Sequence, residues 1–190
     1  MVQIQVPSNV PHLQEDITIE QLINWLAKYG QTNAGGVTRL LYSPSWLQAQ
    51  KALKEKMATI GLQTYFDSVG NLFGRAIGTV HEEKVILTGS HIDTVTEGGK
   101  YDGAYGIAAS LLAVKRLIER HGSPKYTIEV VSLCEEEGSR SPLTYWVSKN
   151  VMGQYDATAI SSLKDKNEIA FIDAMEEAGF PLSHYQPSKR

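Results

Sequence analysis

The sequence predicts an α/β protein with a mixed, partly parallel sheet flanked by helices. Two apolar runs, residues 85–87 and 128–133, read as short strands, and the helical pattern of residues 107–118 lies between them. Strand, long helix and strand in that order make a βαβ unit, whose strands run parallel. Before it, residues 62–66 and 71–77 alternate around Ser68-Val69-Gly70, the mark of an antiparallel hairpin. The composition, 42% apolar and 21% charged over 190 residues, is that of a globular chain with one sizeable core.

The elements follow in order. Residues 1–17 are mostly polar and read as an N-terminal arm. Thr18 opens a helix, with Gln21 three residues on in capping-box spacing. Ile19, Leu22, Ile23, Leu26 and Tyr29 keep the helical period until Gly30. Gly35-Gly36 marks a loop. Ser43-Pro44 combines an N-cap with a first-turn proline, and the helix it starts turns Trp46, Leu53, Met57 and Ile60 inward before Gly61. The hairpin and the βαβ unit come next, with a glycine-rich loop, Glu97-Gly98-Gly99-Lys100, before the crossover helix. That helix is apolar on most of its surface and is expected to be buried. Residues 167–178 read as a further amphipathic helix closed by Gly179, and residues 183–190 as a frayed tail. No repeat or low-complexity segment interrupts this pattern.

Charge and cysteine content narrow the function. With 21 acidic and 18 basic side chains the net charge is −3, so the phosphate attraction behind nucleic-acid binding is not expected. Cys134 is the single cysteine, which rules out an intrachain disulfide and every CxxC metal pattern and fits a reducing compartment. No apolar run reaches the roughly 18 residues of a membrane span. Residues 1–16 lack a basic stretch followed by an apolar one, so no signal peptide is expected. A cytoplasmic protein without membrane or nucleic-acid partners is the expectation.

The chemistry collects where the two parallel strands stop. Thr88-Gly89-Ser90-His91-Ile92-Asp93 follows the first, and alternation puts His91 and Asp93 on one side. A carboxylate there can bond one imidazole nitrogen and leave the other for a metal. Asp102 precedes Gly103 and the crossover helix. Cys134-Glu135-Glu136-Glu137-Gly138-Ser139-Arg140 follows the second strand. Three segments thus meet at the carboxyl edge of one sheet, where open α/β sheets place ligands. One imidazole with several carboxylates suits Zn²⁺, Mn²⁺, Co²⁺ or Ni²⁺. Glu136 and Glu137 face opposite ways, so one can ligate while the other faces the water. Each feature has a plainer reading: a hydrogen-bonded histidine, a solvated acidic face, an Asp-Gly turn. Only their coincidence at the strand ends favours a metal. A Ser90-His91 nucleophile pair fails because neighbours in extended chain point apart. Gly98, Gly99 and Gly103 lack phosphate-loop spacing.

These residues resemble a known family. Residues 89–95 and 97–103 look like the metal signature of the M20 metallopeptidase clan, in its amidase branch of allantoate amidohydrolases and N-carbamoyl-L-amino-acid hydrolases. Residues 135–140 resemble that branch's second signature, and residues 35–40 and 67–75 its upstream landmarks. The resemblance implies the N-terminal part of a zinc-exopeptidase-like catalytic domain, spanning residues 18–182 here. It implies two divalent ions, Mn²⁺ or Zn²⁺, with His91 on one, Glu137 on the other and Asp102 bridging. It further implies Glu136 as general base, Asp93 as the residue holding the His91 ring, a small ureido substrate and a homodimer in full-length members. Allantoate is the favoured substrate, because Glu135-Glu136-Glu137-Gly138-Ser139-Arg140 and Tyr145-Trp146 look more like the allantoate enzymes. Hydrolysis would yield ureidoglycine, ammonia and carbon dioxide. An N-carbamoyl amino-acid hydrolase and a truncated, non-catalytic chain are the alternatives.

The chain departs from that pattern in length. The family's lid and dimerisation domain and two further metal-binding histidines have no counterpart; His184 lacks the His-x-Glu-Gln-Gly context, and His12, His81 and His121 read as loop residues. Ser141 stands where an aromatic residue is usual, and Val147 where a glycine is. Substrate placement can supply roughly 7–11 kcal/mol of a barrier, so loss of the lid's binding groups is expected to be severe.

Overall fold

The computed structural model describes residues 17–143, 145–154 and 157–186. The expected arm, apart from Ile17, and residues 187–190 of the expected tail lie outside the described residues.

Local signals set the first two helices. Helix α1 (Ile19–Ala27) starts at Thr18, whose hydroxyl accepts from the Gln21 amide while the Gln21 side chain accepts from the Thr18 amide, so the capping box is closed. Helix α2 (Pro44–Thr59) starts at Ser43, whose Oγ accepts from the Trp46 amide. The strands are β1 (Gln63–Phe66), β2 (Leu72–Ala76), β3 (His81–His91) and β4 (Tyr126–Leu133), with helix α3 (Ala104–His121) joining β3 to β4.

The sheet order is β1-β2-β4-β3. β1 and β2 pair antiparallel, as do β2 and β4, whereas β3 and β4 run parallel. The sheet is therefore mixed, with the parallel pair made by the βαβ unit. Helices α2 and α3 cover one face. A Cβ on Gly74 of β2 would run into Met57 of α2, and Thr88 of β3 shares a hydrogen bond with Ser110 of α3. Helix α1 packs on α3. The core beneath them includes Trp46, Leu53, Met57, Leu72, Ile107, Leu111 and Val130. Tyr42, Trp46, Phe171 and Phe180 meet mainly edge-to-face beside it, a geometry aromatic quadrupoles favour.

Three boundaries differ from expectation for physical reasons. β3 begins at His81, because the charged residues His81–Lys84 belong to an edge strand with a bulge between His81 and Val85. The later helix, α5 (Phe171–Glu177), starts four residues after expected. Asp165 Oδ1 accepts from the amides of Asn167 and Ile169, and Glu168 takes a positive φ of 63°, so a turn occupies that stretch. A short helix α4 (Trp146–Val151) lies where none was expected. The crossover helix also keeps Tyr105 and Leu117 exposed, so it is half-covered rather than buried all round. Of the tail expected from Ser183, residues 183–186 are held in place: Leu182–His184 makes a single 3-10 turn, Tyr185 stacks on Trp146, and the Gln186 amide donates to Ser68. Among the described residues no helix is long and apolar enough to cross a membrane.

Candidate metal centre

The parallel pair delivers two loops to one end of the sheet. His91 is the last residue of β3, opposite Leu133 at the end of β4, and the Ile92 amide still donates to the Leu133 carbonyl. Beyond these points the chains separate, and their side chains face a common space.

His91 and Asp93 form the inner wall. His91 Nδ1 lies 3.2 Å from Asp93 Oδ1 and 3.2 Å from the Asp93 carbonyl. Its Nε2 therefore faces outward, 3.7 Å from Asp102 Oδ1. Asp93 is fully buried and its carboxylate reaches across to the second loop, accepting from the Glu136 amide at 2.9 Å and the Glu137 amide at 3.0 Å. One carboxylate thus orients the imidazole and the turn that carries the glutamates.

Asp102 arrives on the loop between β3 and α3. That loop is pinned to the segment after α1: Val37 and Gly98 exchange backbone bonds, and Glu97, at φ 56°, accepts from the Thr32 hydroxyl at 2.6 Å. Gly103 follows with φ 62°, and a Cβ there would collide with the His91 carbonyl and ring. Only glycine lets the helix start this close to the imidazole. The glutamate loop is anchored at its root as well. The Cys134 amide donates to Asn71, the Trp46 indole donates to the Cys134 carbonyl at 2.9 Å, and Gln50 donates to the Ser132 carbonyl. Arg140 closes the loop by donating to the Leu41 carbonyl and to Asp165.

His91, Asp102 and Glu137 each offer a ligand atom, and these atoms all lie within 4.8 Å of one another. Nitrogen and oxygen ligands about 2.1 Å from one ion stand roughly 3.4 Å apart in a tetrahedron, so small side-chain adjustments suffice. Glu136 is exposed beside this group and is not one of the three. The donor set and spacing fit a divalent cation.

The electrostatics are those of an acidic pocket. Burial lowers the affinity of His91 for a proton, but its bond to Asp93 and the charges of Asp93 and Glu136 prevail, raising its pKa to about 8. Burial raises Glu137, and the neighbouring Asp102 adds to this against the opposing effect of His91. Glu135 is buried and raised to about 8, first by desolvation and then by Asp93, although the amides of Ser139 and Gly138 oppose the shift. Its Oε2 has no partner among the described residues. A cation would relieve this crowding of carboxylates. Sequence reasoning missed the supports: Arg39, Gln50, Asn71, Trp46 and Glu135. The one available signal was Arg39 in Val37-Thr38-Arg39-Leu40-Leu41, where a cation among three aliphatic residues needs a reason to be buried.

Comparison with known proteins places this geometry. A family model described as Peptidase family M28 matches residues 71–181, more than half of the chain. The chain is 51% identical over 173 residues to the allantoate amidohydrolase of Bacillus subtilis (strain 168), covering 91% of this chain and 42% of that protein. It is 48% identical to the allantoate amidohydrolase of Escherichia coli (strain K12), covering 86% of this chain and 40% of that one. The N-carbamoyl-L-amino-acid amidohydrolase of Pseudomonas sp. (strain NS671) is 34% identical, with 84% and 38% covered. The crystal structure of a hydantoinase/carbamoylase family amidase from Burkholderia ambifaria superposes with a TM-score of 0.81 at 28% identity, covering 90% of this chain and 42% of that one. The chain therefore spans about two fifths of the length of the relatives it matches. The expected amidase branch is met by these relatives, while the matching family model carries the M28 rather than the M20 label. The chain belongs to Peptidase family M28, a family of metal-dependent hydrolases, and its relatives are M20-like amidases that act on C–N bonds.

Proposed function

We propose that this chain carries the water-activating part of an amidohydrolase that cleaves a ureido C–N bond. The proposed reaction takes allantoate and water to ureidoglycine, ammonia and carbon dioxide. The observation that carries the reading is the convergence of His91, Asp102 and Glu137 at the carboxyl end of the parallel pair. The substrate rests on likeness to the two allantoate amidohydrolases.

Two divalent ions, Mn²⁺ or Zn²⁺, are proposed, with Co²⁺ or Ni²⁺ suited to the same donors. His91 would hold one, Glu137 the other, and Asp102 both. When bound, such ions lower the pKa of a water and polarise a carbonyl. Asp93 occupies Nδ1 of His91 and so keeps Nε2 turned toward the centre. Glu136 takes the proton of the attacking water and returns it to the leaving nitrogen. Its backbone is fixed by Asp93 while its side chain stays exposed, the arrangement a mobile proton carrier needs. A cytoplasmic setting, a small-molecule partner and homodimers of the whole protein complete the proposal.

Two other readings have specific support. The 34% identity to an N-carbamoyl-L-amino-acid amidohydrolase favours that substrate class. Among the described residues the ligand group offers three donors for two ions, which favours a chain that takes up metal without turnover. One experiment separates them: ammonia release by the Mn²⁺-loaded chain, offered allantoate and an N-carbamoyl-L-amino acid side by side. Ammonia from allantoate supports the proposal, and ammonia only from the carbamoyl compound reassigns the substrate. Metal uptake without ammonia from either leaves a non-catalytic metal protein. Absence of uptake overturns the metal reading.

A further inference from the structure

Arg39 is the deepest cation of the described chain, with 1% exposure, and it belongs to neither the ligand set nor the proton path. Burial draws its pKa down to about 10, opposed by the charge of Asp93. Its guanidinium bonds explain why it is kept there. Nε donates to the Ile92 carbonyl at 2.8 Å, and Nη1 donates to the Leu26 and Tyr29 carbonyls at 3.2 Å each. Leu26 lies in the last turn of α1, where carbonyls lack intrahelical donors, and Tyr29 lies two residues beyond the helix. Its backbone grips the other side of the same peptide. The Arg39 amide donates to Thr94 Oγ1, the Thr94 amide donates to the Arg39 carbonyl, and Thr94 Oγ1 donates onward to Val37. Ile92 and Thr94 flank Asp93, so both neighbours of the residue that orients His91 and receives the Glu136 and Glu137 amides are held by one arginine.

We propose that Arg39 is a positioning residue of the metal centre: by fixing the Ile92–Thr94 peptide it sets the Asp93 carboxylate, and through it the His91 ring and the glutamate turn. This rests on the metal reading only for its consequence; the positioning itself exists without an ion. A lysine cannot span three carbonyls in one plane, so Arg39→Lys keeps the charge and loses the fork. Thr94→Val removes the hydroxyl bonds at similar volume. Leu22→Ala, in the buried face of α1, loosens the same helix and removes none of the hydrogen bonds to the Ile92–Thr94 peptide.

The experiment reads the metal-free chain by ¹⁵N NMR at the Glu136 and Glu137 amides and the His91 ring, and then titrates Zn²⁺ by calorimetry. In Arg39→Lys and Thr94→Val both amide signals move toward weaker hydrogen bonding, and at a pH above the His91 midpoint the neutral ring no longer keeps its proton on Nδ1 alone. The Zn²⁺ dissociation constant rises about tenfold in Arg39→Lys. Leu22→Ala lowers the melting temperature and leaves these signals in place. If Arg39→Lys does not fold, Thr94→Val carries the test. Signals unmoved in Thr94→Val, or moved equally in Leu22→Ala, overturn the proposal. A wild-type chain that takes no Zn²⁺ refutes the metal reading alone, and the amide and ring signals still decide the role of Arg39.

Discussion

The two halves of β3 lead opposite lives. Its carboxyl end runs into His91, Ile92 and Asp93, the last two fully buried; the Ile92 carbonyl accepts from Arg39 in the segment after α1, and the Asp93 carboxylate accepts from the Glu136 and Glu137 amides. Its middle carries Val85, Ile86 and Leu87, which are 43%, 54% and 46% exposed on the outer edge of the sheet. The sequence pattern is strand-like in both. What differs is the support: residues distant in sequence brace the chemical end, while nothing among the described residues pairs with the outer edge. Bracing contacts are concentrated where ligand atoms must be held in place, and are sparse along the exposed outer edge.

Substitutions should break or sharpen this contrast in graded fashion. Trp46→Ala should have the largest effect. It removes a fully buried indole that also holds the Cys134 carbonyl, and the cavity should cost about 3–5 kcal/mol in chemical denaturation. An effect below about 1 kcal/mol would mean that the site end is not braced from α2. Asn71→Ala should cost about 1–3 kcal/mol, because it strands the buried Cys134 amide and removes the side-chain donor to Asp67 Oδ2. The Cys134 amide, just past β4, should lose hydrogen-exchange protection ahead of the strand.

Acidity gives a further test. The His91 pKa is raised to about 8 in the folded chain, against an ordinary value near 6.5. The stabilisation from its proton is complete below the ordinary value and fades as pH rises through about 8. Proton and metal compete for Nε2, so metal affinity should climb over that same window. An NMR titration of His91 should give a midpoint near 8 in the metal-free chain, falling in Asp93→Asn; a midpoint near 6.5 in both would dissolve the Asp93 pairing. The smallest effect belongs to the outer edge. Ile86→Thr keeps β-branching on an exposed position and should change stability by no more than about 0.5 kcal/mol. A larger loss would show that the edge is buried in solution.

The same contrast explains what was legible in the sequence. Thr18, Gln21, Ser43 and Pro44 act within one helical turn, so the starts of α1 and α2 could be read directly. His91, Asp102 and Glu137 each follow or precede an element of the βαβ unit, and the topology of that unit brings its ends together. The start of β3 was hidden because His81–Lys84 is charged, as an edge strand can be. The delayed start of α5 turned on Asp165 bonding its own backbone neighbours, a local competition that an amphipathic pattern does not reveal. The braces were illegible for another reason. Arg39 sits 53 residues from Ile92 and Asn71 sits 63 from Cys134, and nothing in the chain announces which distant carbonyl or amide each will meet.

The central claim is that His91, Asp102 and Glu137, brought together from three separate segments, bind divalent cations at the end of the parallel pair. Calorimetric titration of Mn²⁺ into the wild-type chain and into the double variant Asp102→Ala, Glu137→Ala tests it most directly. Saturable uptake by the wild type, abolished in the double variant with the fold intact, is the predicted result. Equal uptake by both chains would move the ion elsewhere and contradict the account.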